Sequence, residues 1–241
     1  MFSRPPSCNR RPVVSVLIGL LVLLIVIFGP QLWARHVLKT HAGERQDIPG
    51  TGAEFAKHLL KNAYMEDYGV EKAEDGMGDH FDPMTGTVRL SEAHYDHRSL
   101  SAIVVAAHEV GHAIQHYIGY RPLQIRSQLA AAAAYAERIA SIILIAMPFV
   151  TVLTRVPSAG AGMLLLGVAV MMVPVMVHLV TLPVELDASF KRALPILGLG
   201  YLSSGDLPKA HRILTACALT YLSASLGSLL NFWRWIRVLR R

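Results

Sequence analysis

The sequence predicts an α-helical membrane protein with a small α+β domain and three or four transmembrane helices. Three observations predict it. Hydrophobic residues make up 53% of the 241 positions and the mean hydropathy is +0.40, too apolar for an ordinary soluble domain. Long charge-poor runs stand at 13–30 and 139–182, with a third at 213–230. Between the first two lies a mixed segment, 50–122, whose polar pattern carries helix, strand and turn signals.

In chain order, residues 1–12 form a basic tail with Arg4, Arg10 and Arg11. The run at 13–30 reads as a transmembrane anchor. A signal peptide is the competing reading, but the apolar core is longer than a usual signal core and no small-residue cleavage site follows Pro30. Trp33, Arg35 and Lys39 suit its far interface.

The globular segment opens with Thr51-Gly52-Ala53-Glu54, a capping-box pattern, and Phe55, Leu59, Leu60 and Ala63 repeat behind it at helical spacing. Residues 68–73 form a weak strand. The turn Pro83-Met84-Thr85-Gly86 separates 79–82 from 87–90, which predicts a hairpin. A proline-free helix over 101–117 follows, with Ser99 or Asp96 as N-cap and Gly119 and Pro122 as stop signals. Strand 87–90 is a candidate to pair with an extended peptide through its backbone; an ordinary edge strand is the simpler reading.

Beyond 122 the chain is alanine-rich and helical, and Ala130 to Ala134 is a run of five small residues that permits close packing. Residues 139–182 read as a transmembrane hairpin turned at Arg155-Val156-Pro157-Ser158. His178 near its end is either functional or interfacial. Residues 183–230 form a helical region with a possible fourth span, and 231–241 a basic aromatic tail suited to a membrane surface. With four spans the arginine bias favours a site outside the cell; with three it reverses.

The net charge of +6 is not gathered into a stripe, so nucleic acid is not an expected partner. Cys8 and Cys217 are too far apart for a disulfide framework or a cysteine zinc pattern. The chemistry lies in His108-Glu109-Val110-Gly111-His112. Histidines four apart share one helix face and can reach one ion, zinc by spacing and ligand type. Glu109 between them can act on a water without ligating. Surface histidines with no metal are the plain alternative, but the flanking Ile103, Val104, Val105 and Ile114 imply burial, and a buried His-Glu-His cluster with no ion is costly. His116 lies about 12 Å along the axis from His108, too far to be a ligand.

A catalytic zinc needs a third protein ligand. Glu185 in Leu182-Pro183-Val184-Glu185 is the natural choice, because a hairpin over 139–182 brings the chain back to its starting side. Asp187 is the nearest competitor, but two residues along a helix is a rotation of about 200°, so both cannot face one ion. Tyr201, His211, Arg212 and Tyr221 are open candidates for stabilising an oxyanion. The expected function is zinc-dependent hydrolysis of peptide bonds with Glu109 as general base. A non-catalytic zinc protein is the rival from another class, and a transporter a weaker one.

The segments at 79–83, 87–92, 107–116 and 182–189 together resemble the neutral zinc metallopeptidase family of bacterial membranes, the YugP type, over about residues 51–230. The resemblance implies a multi-pass metallopeptidase of the bacterial cell membrane, with a zincin-like α+β domain and a gluzincin-like site. His108 and His112 would be ligands, Glu109 the base and Glu185 the third ligand. A protein or peptide would be the substrate and the lipid bilayer a partner. Related zincins often place an aspartate four residues after the ligand glutamate; here that residue is Ser189, and the aspartate is Asp187.

Overall fold

The computed structural model describes residues 11–155 and 157–230. The first ten residues of the expected basic tail, and the basic aromatic tail at 231–241, lie outside them. The described chain is helical with one small sheet, and it is built around the helix that carries HEVGH.

That helix, α4 (Leu100–Tyr117), starts where Ser99 Oγ accepts the amide of Ala102 at 3.1 Å, so Ser99 rather than Asp96 is the N-cap. The chain leaves it at Ile118 and at Gly119, whose φ of 66° needs no Cβ. Nearly every α4 side chain is buried, from Leu100 through Ala113. A helix apolar on all sides needs partners all round, and α4 has them in the sheet, α2 (Gly52–Asn62), α8 (Leu207–Leu230) and a π-helix (Asp187–Ala193). The capping box before α2 forms as its residues dictate. Thr51 Oγ1 accepts from the Glu54 amide, and Glu54 Oε2 accepts from the Thr51 amide.

The sheet comprises β1 (Gly69–Lys72), β2 (His80–Asp82) and β3 (Thr87–Leu90), in the order β1-β3-β2. β1 is parallel to β3 and β2 antiparallel to it, with Phe81 opposite Val88. Asp82 closes the β2–β3 turn by accepting from Met84 N, Thr85 Oγ1 and Arg89 Nη1, while Gly86 takes a φ of 65°. Strand 87–90 is therefore central, paired on both sides, and cannot receive a peptide; the edge strands are β1 and β2. A short helix, α3 (Glu92–Tyr95), joins β3 to α4.

The remaining helices are α1 (Arg11–Thr40), α5 (Arg121–Thr154), α6 (Pro157–Leu186) and α7 (Leu194–Leu197). α5 packs along α6, and α8 packs on both α1 and α6. One expectation is corrected here. Among the described residues no helix is long and apolar enough to cross a membrane, so the three or four transmembrane helices are not present there. The expected orientation of the site, which rested on them, falls too. The sequence reading counted as span length residues that do other work. α5 begins with Arg121 and Arg126 and carries Arg138, α8 begins with Lys209, His211 and Arg212, and the far ends of α1 and α6 bury Ala34, Val37, Val184 and Glu185 in the protein core.

Candidate metal centre

His108 and His112 lie one turn apart on α4, their rings 4.7 Å between centroids. Facing them, Glu185 sits in the last turn of α6, fully buried. Its Oε2 is 3.1 Å from His108 Nε2 and 3.2 Å from His112 Nε2. These three donor atoms converge on one point, a group that could hold a metal ion.

The close approach of α4 to the π-helix has a local cause. A Cβ on Gly111 would stand 2.8 Å from the carbonyl oxygen of Ala188, so only glycine lets the two backbones come this near. A π-helix is a wider coil that often marks functional sites, and this one begins two residues after Glu185. It turns Asp187 and Ser189 toward α4 as well.

Both imidazoles are held from behind. Ser189 Oγ is 3.1 Å from His108 Nδ1. Gln115 Oε1 is 3.0 Å from His112 Nδ1, while Gln115 Nε2 donates to Val184 O and to Asp187 Oδ2. Because that amide nitrogen already faces two acceptors, Oε1 must accept, and His112 carries its proton on Nδ1. Arg192 Nε in turn donates to Asp187 Oδ2 at 2.8 Å. Asp187 thus reaches the site indirectly, through Gln115. Neither Gln115 nor Asp187 was expected in this role, although Gln115 lies three residues after His112 and so shares its face.

These residues fit zinc. With the Nδ1 position protonated, His112 presents a bare Nε2 lone pair to a carboxylate oxygen, an arrangement that calls for a cation between them. The donor set, two imidazoles and one carboxylate, matches catalytic zinc with an open fourth position. Burial alone would raise the Glu185 carboxyl; with no ion bound, His112 and His108 in their protonated forms outweigh burial through charge and hydrogen bonding and hold it well below the usual carboxylate range. Arg126 Nη1 binds the other oxygen, Oε1, at 2.9 Å. Arg126 lies on α5, outside every motif, and nothing in the sequence marks it.

Glu109 is different. It is buried, yet no hydrogen bond or ion pair ties its carboxyl among the described residues. Its carboxyl is pushed up to about 7, chiefly by burial, with the Glu185 and Asp79 carboxylates adding to the rise and His108 and Arg126 opposing it. Asp79 stands beside it, accepting from Ser91 N and Ser91 Oγ and bonded to His94 Nδ1 at 2.8 Å.

Among the described residues two cavities meet at Glu109 and share Asp79. One, about 480 Å³, runs between α1, α4 and α8; the other, about 230 Å³, runs between β2 and α5 and contains Arg126 and His80. Of the expected oxyanion candidates, Tyr201, His211 and Arg212 line neither cavity. Tyr201 bonds His58 and Asn62, His211 packs on Phe190, and the Tyr221 side chain is outside the described ones, as is that of His178. His116 hydrogen-bonds Tyr68 OH, away from the three donors.

The sequence profile of the family described as "Putative neutral zinc metallopeptidase" matches residues 16–240. The chain belongs to this family. Among its relatives, the "Putative membrane protease YugP" of Bacillus subtilis (strain 168) is 33% identical over 220 residues, covering 90% of this chain and 94% of the relative. No solved structure matches the chain. Membership of a zinc metallopeptidase family agrees with the donor set found on α4 and α6, and the family's metal is zinc.

Proposed function

We propose that the chain is a zinc-dependent endopeptidase that acts at a membrane, with His108, His112 and Glu185 as ligands and Glu109 as general base. The observation that carries this reading is the convergence of His108 Nε2, His112 Nε2 and Glu185 Oε2 beside an untethered Glu109. A structural zinc site has no need of such a base and normally takes four protein ligands.

Zinc held there supplies Lewis acidity, polarising the carbonyl to be attacked and acidifying a water. The rest falls to the chain. Glu109 takes a proton from the attacking water on a carboxylate oxygen, at a proton affinity suited to neutral pH. The water oxygen adds to the carbonyl carbon, the C–N bond breaks, and Glu109 returns the proton to the leaving nitrogen. Ser189 and Gln115 fix the imidazoles, and Arg126 occupies Glu185 Oε1 so that Oε2 alone faces the ligand point.

The endopeptidase reading is supported by the cavities on both sides of Glu109, which leave room for chain in both directions. The free edge of β2, whose His80 and Phe81 line the smaller cavity, is where an extended peptide would pair. Association with a membrane is supported by the relative's name and by large exposed apolar side chains on α1 and α5, such as Ile25, Leu32, Phe149 and Leu153. The test is hydrolysis of unfolded casein by the purified full chain. Activity should vanish with a chelator and return with zinc; activity that survives complete metal removal would refute the reading.

A further inference from the structure

The two cavities at Glu109 are unlike each other. The smaller is lined by Asp79, Arg126, His112 and Glu109, with Phe81 and Leu123 among its fewer apolar walls. The larger has the same catalytic end, His108, Glu109 and Asp79, but its walls are apolar: Ala34 and Leu38 from α1, Val104 and Val105 from α4, Ile213 and Leu214 from α8. Cys217 also lines it, and polar residues enter mainly at Gln31, Arg35 and Thr220. At about 480 Å³ it falls within the usual range of pre-formed ligand sites.

We propose that this cavity between α1, α4 and α8 is the substrate's side-chain pocket, and that it takes a large apolar residue adjoining the bond that is cut. The inference rests on the peptidase reading and adds its substrate class. A chain drawn across Glu109 must place one flank toward each cavity, because both open on the same carboxyl. The α8 side favours removal of apolar area from water, in proportion to the area covered. A charged side chain there would give up its hydration among valine, isoleucine and leucine walls. Specificity is therefore one-sided: large and apolar toward α8, indifferent or polar toward Arg126.

The experiment measures binding, so that it does not depend on turnover. Full-length zinc-loaded protein is titrated by calorimetry with N-blocked amino-acid hydroxamates of glycine, lysine, leucine and phenylalanine. Leucine and phenylalanine should bind about 10-fold or more tighter than glycine, in keeping with the worth of apolar groups in such pockets, and lysine should gain nothing. Cys217→Phe fills part of the cavity and should erase the phenylalanine advantage while leaving glycine unchanged; Cys217→Leu, a milder filling, should reduce it. Equal affinity for glycine and phenylalanine in the wild type would overturn the proposal. So would an advantage that neither Cys217 substitution alters in folded, zinc-bound protein. Apolar preference without cleavage of any peptide would instead leave the pocket standing and remove the hydrolase reading.

Discussion

Ser189 is a hydroxyl where related sites often carry a carboxylate, and it still meets His108 Nδ1. On the other side, Asp187 acts on His112 only by way of Gln115. Groups of this kind orient ligands without touching the ion, and their loss typically weakens metal binding by about 10–100-fold. Ser189→Ala and Asp187→Asn should each do so in a chelator competition, whereas Glu185→Ala should bring zinc close to zero. Full occupancy in Glu185→Ala would show that another residue is the third ligand. The positions of His108, Glu109 and His112 on one face were legible because a helical period of 3.6 fixes them. The same arithmetic showed that Glu185 and Asp187 could not both face one ion, and left the choice between them to the family resemblance. The path from Asp187 through Gln115 was not legible, since it depends on a π-helix that no periodicity announces.

At the scale of elements, two contacts govern the site. The first is α4 against the π-helix, where Gly111 meets Ala188 O. Gly111→Ala should force the backbones apart, lowering the melting temperature and zinc affinity together; an unchanged affinity would mean that α4 does not need this approach. The second is the anchorage of the segment before β2 by Asp79 to His94 and Ser91. Burial raises the Asp79 carboxyl, but the hydrogen bond and charge of His94 and the two Ser91 donors outweigh it, leaving it below its ordinary value of 3.8. A carboxyl depressed by folding contributes stability that is complete above 3.8 and is lost as pH falls through the folded value. Asp79→Asn should therefore flatten that part of the acid limb in a series of melts below pH 4, while a limb identical to the wild type would remove Asp79 from the account. The hairpin at 79–90 could be read from its turn residues, because Asp82 and Gly86 act locally. Which strand lay at the edge could not be read, because β1 pairs with β3 directly although β2 lies between them in the sequence.

The whole molecule explains the largest discrepancy between sequence and structure. Hydropathy sums composition along the chain and cannot tell an apolar residue that packs in the protein core from one that faces outward. Ala34, Val37, Val184, Ile213 and Leu214 are of the first kind; Ile25, Phe149, Val152 and Leu153 are of the second. Large apolar side chains exposed on this scale are what a surface meeting lipid or another apolar partner requires. The purified protein should float with liposomes in a density gradient, and Phe149→Glu with Leu153→Glu should reduce the floating fraction without changing zinc content. Equal flotation by that double variant would place the lipid contact elsewhere.

The central claim is that Glu109 moves the proton in a reaction whose metal is held by three other residues. Zinc content and casein hydrolysis measured on the same preparations of wild type and Glu109→Gln test it directly. Both proteins should hold one zinc per chain, and the variant should lose activity by about 100-fold or more, the usual worth of a general base. Hydrolysis by Glu109→Gln at the wild-type rate, with zinc in place, would contradict the account.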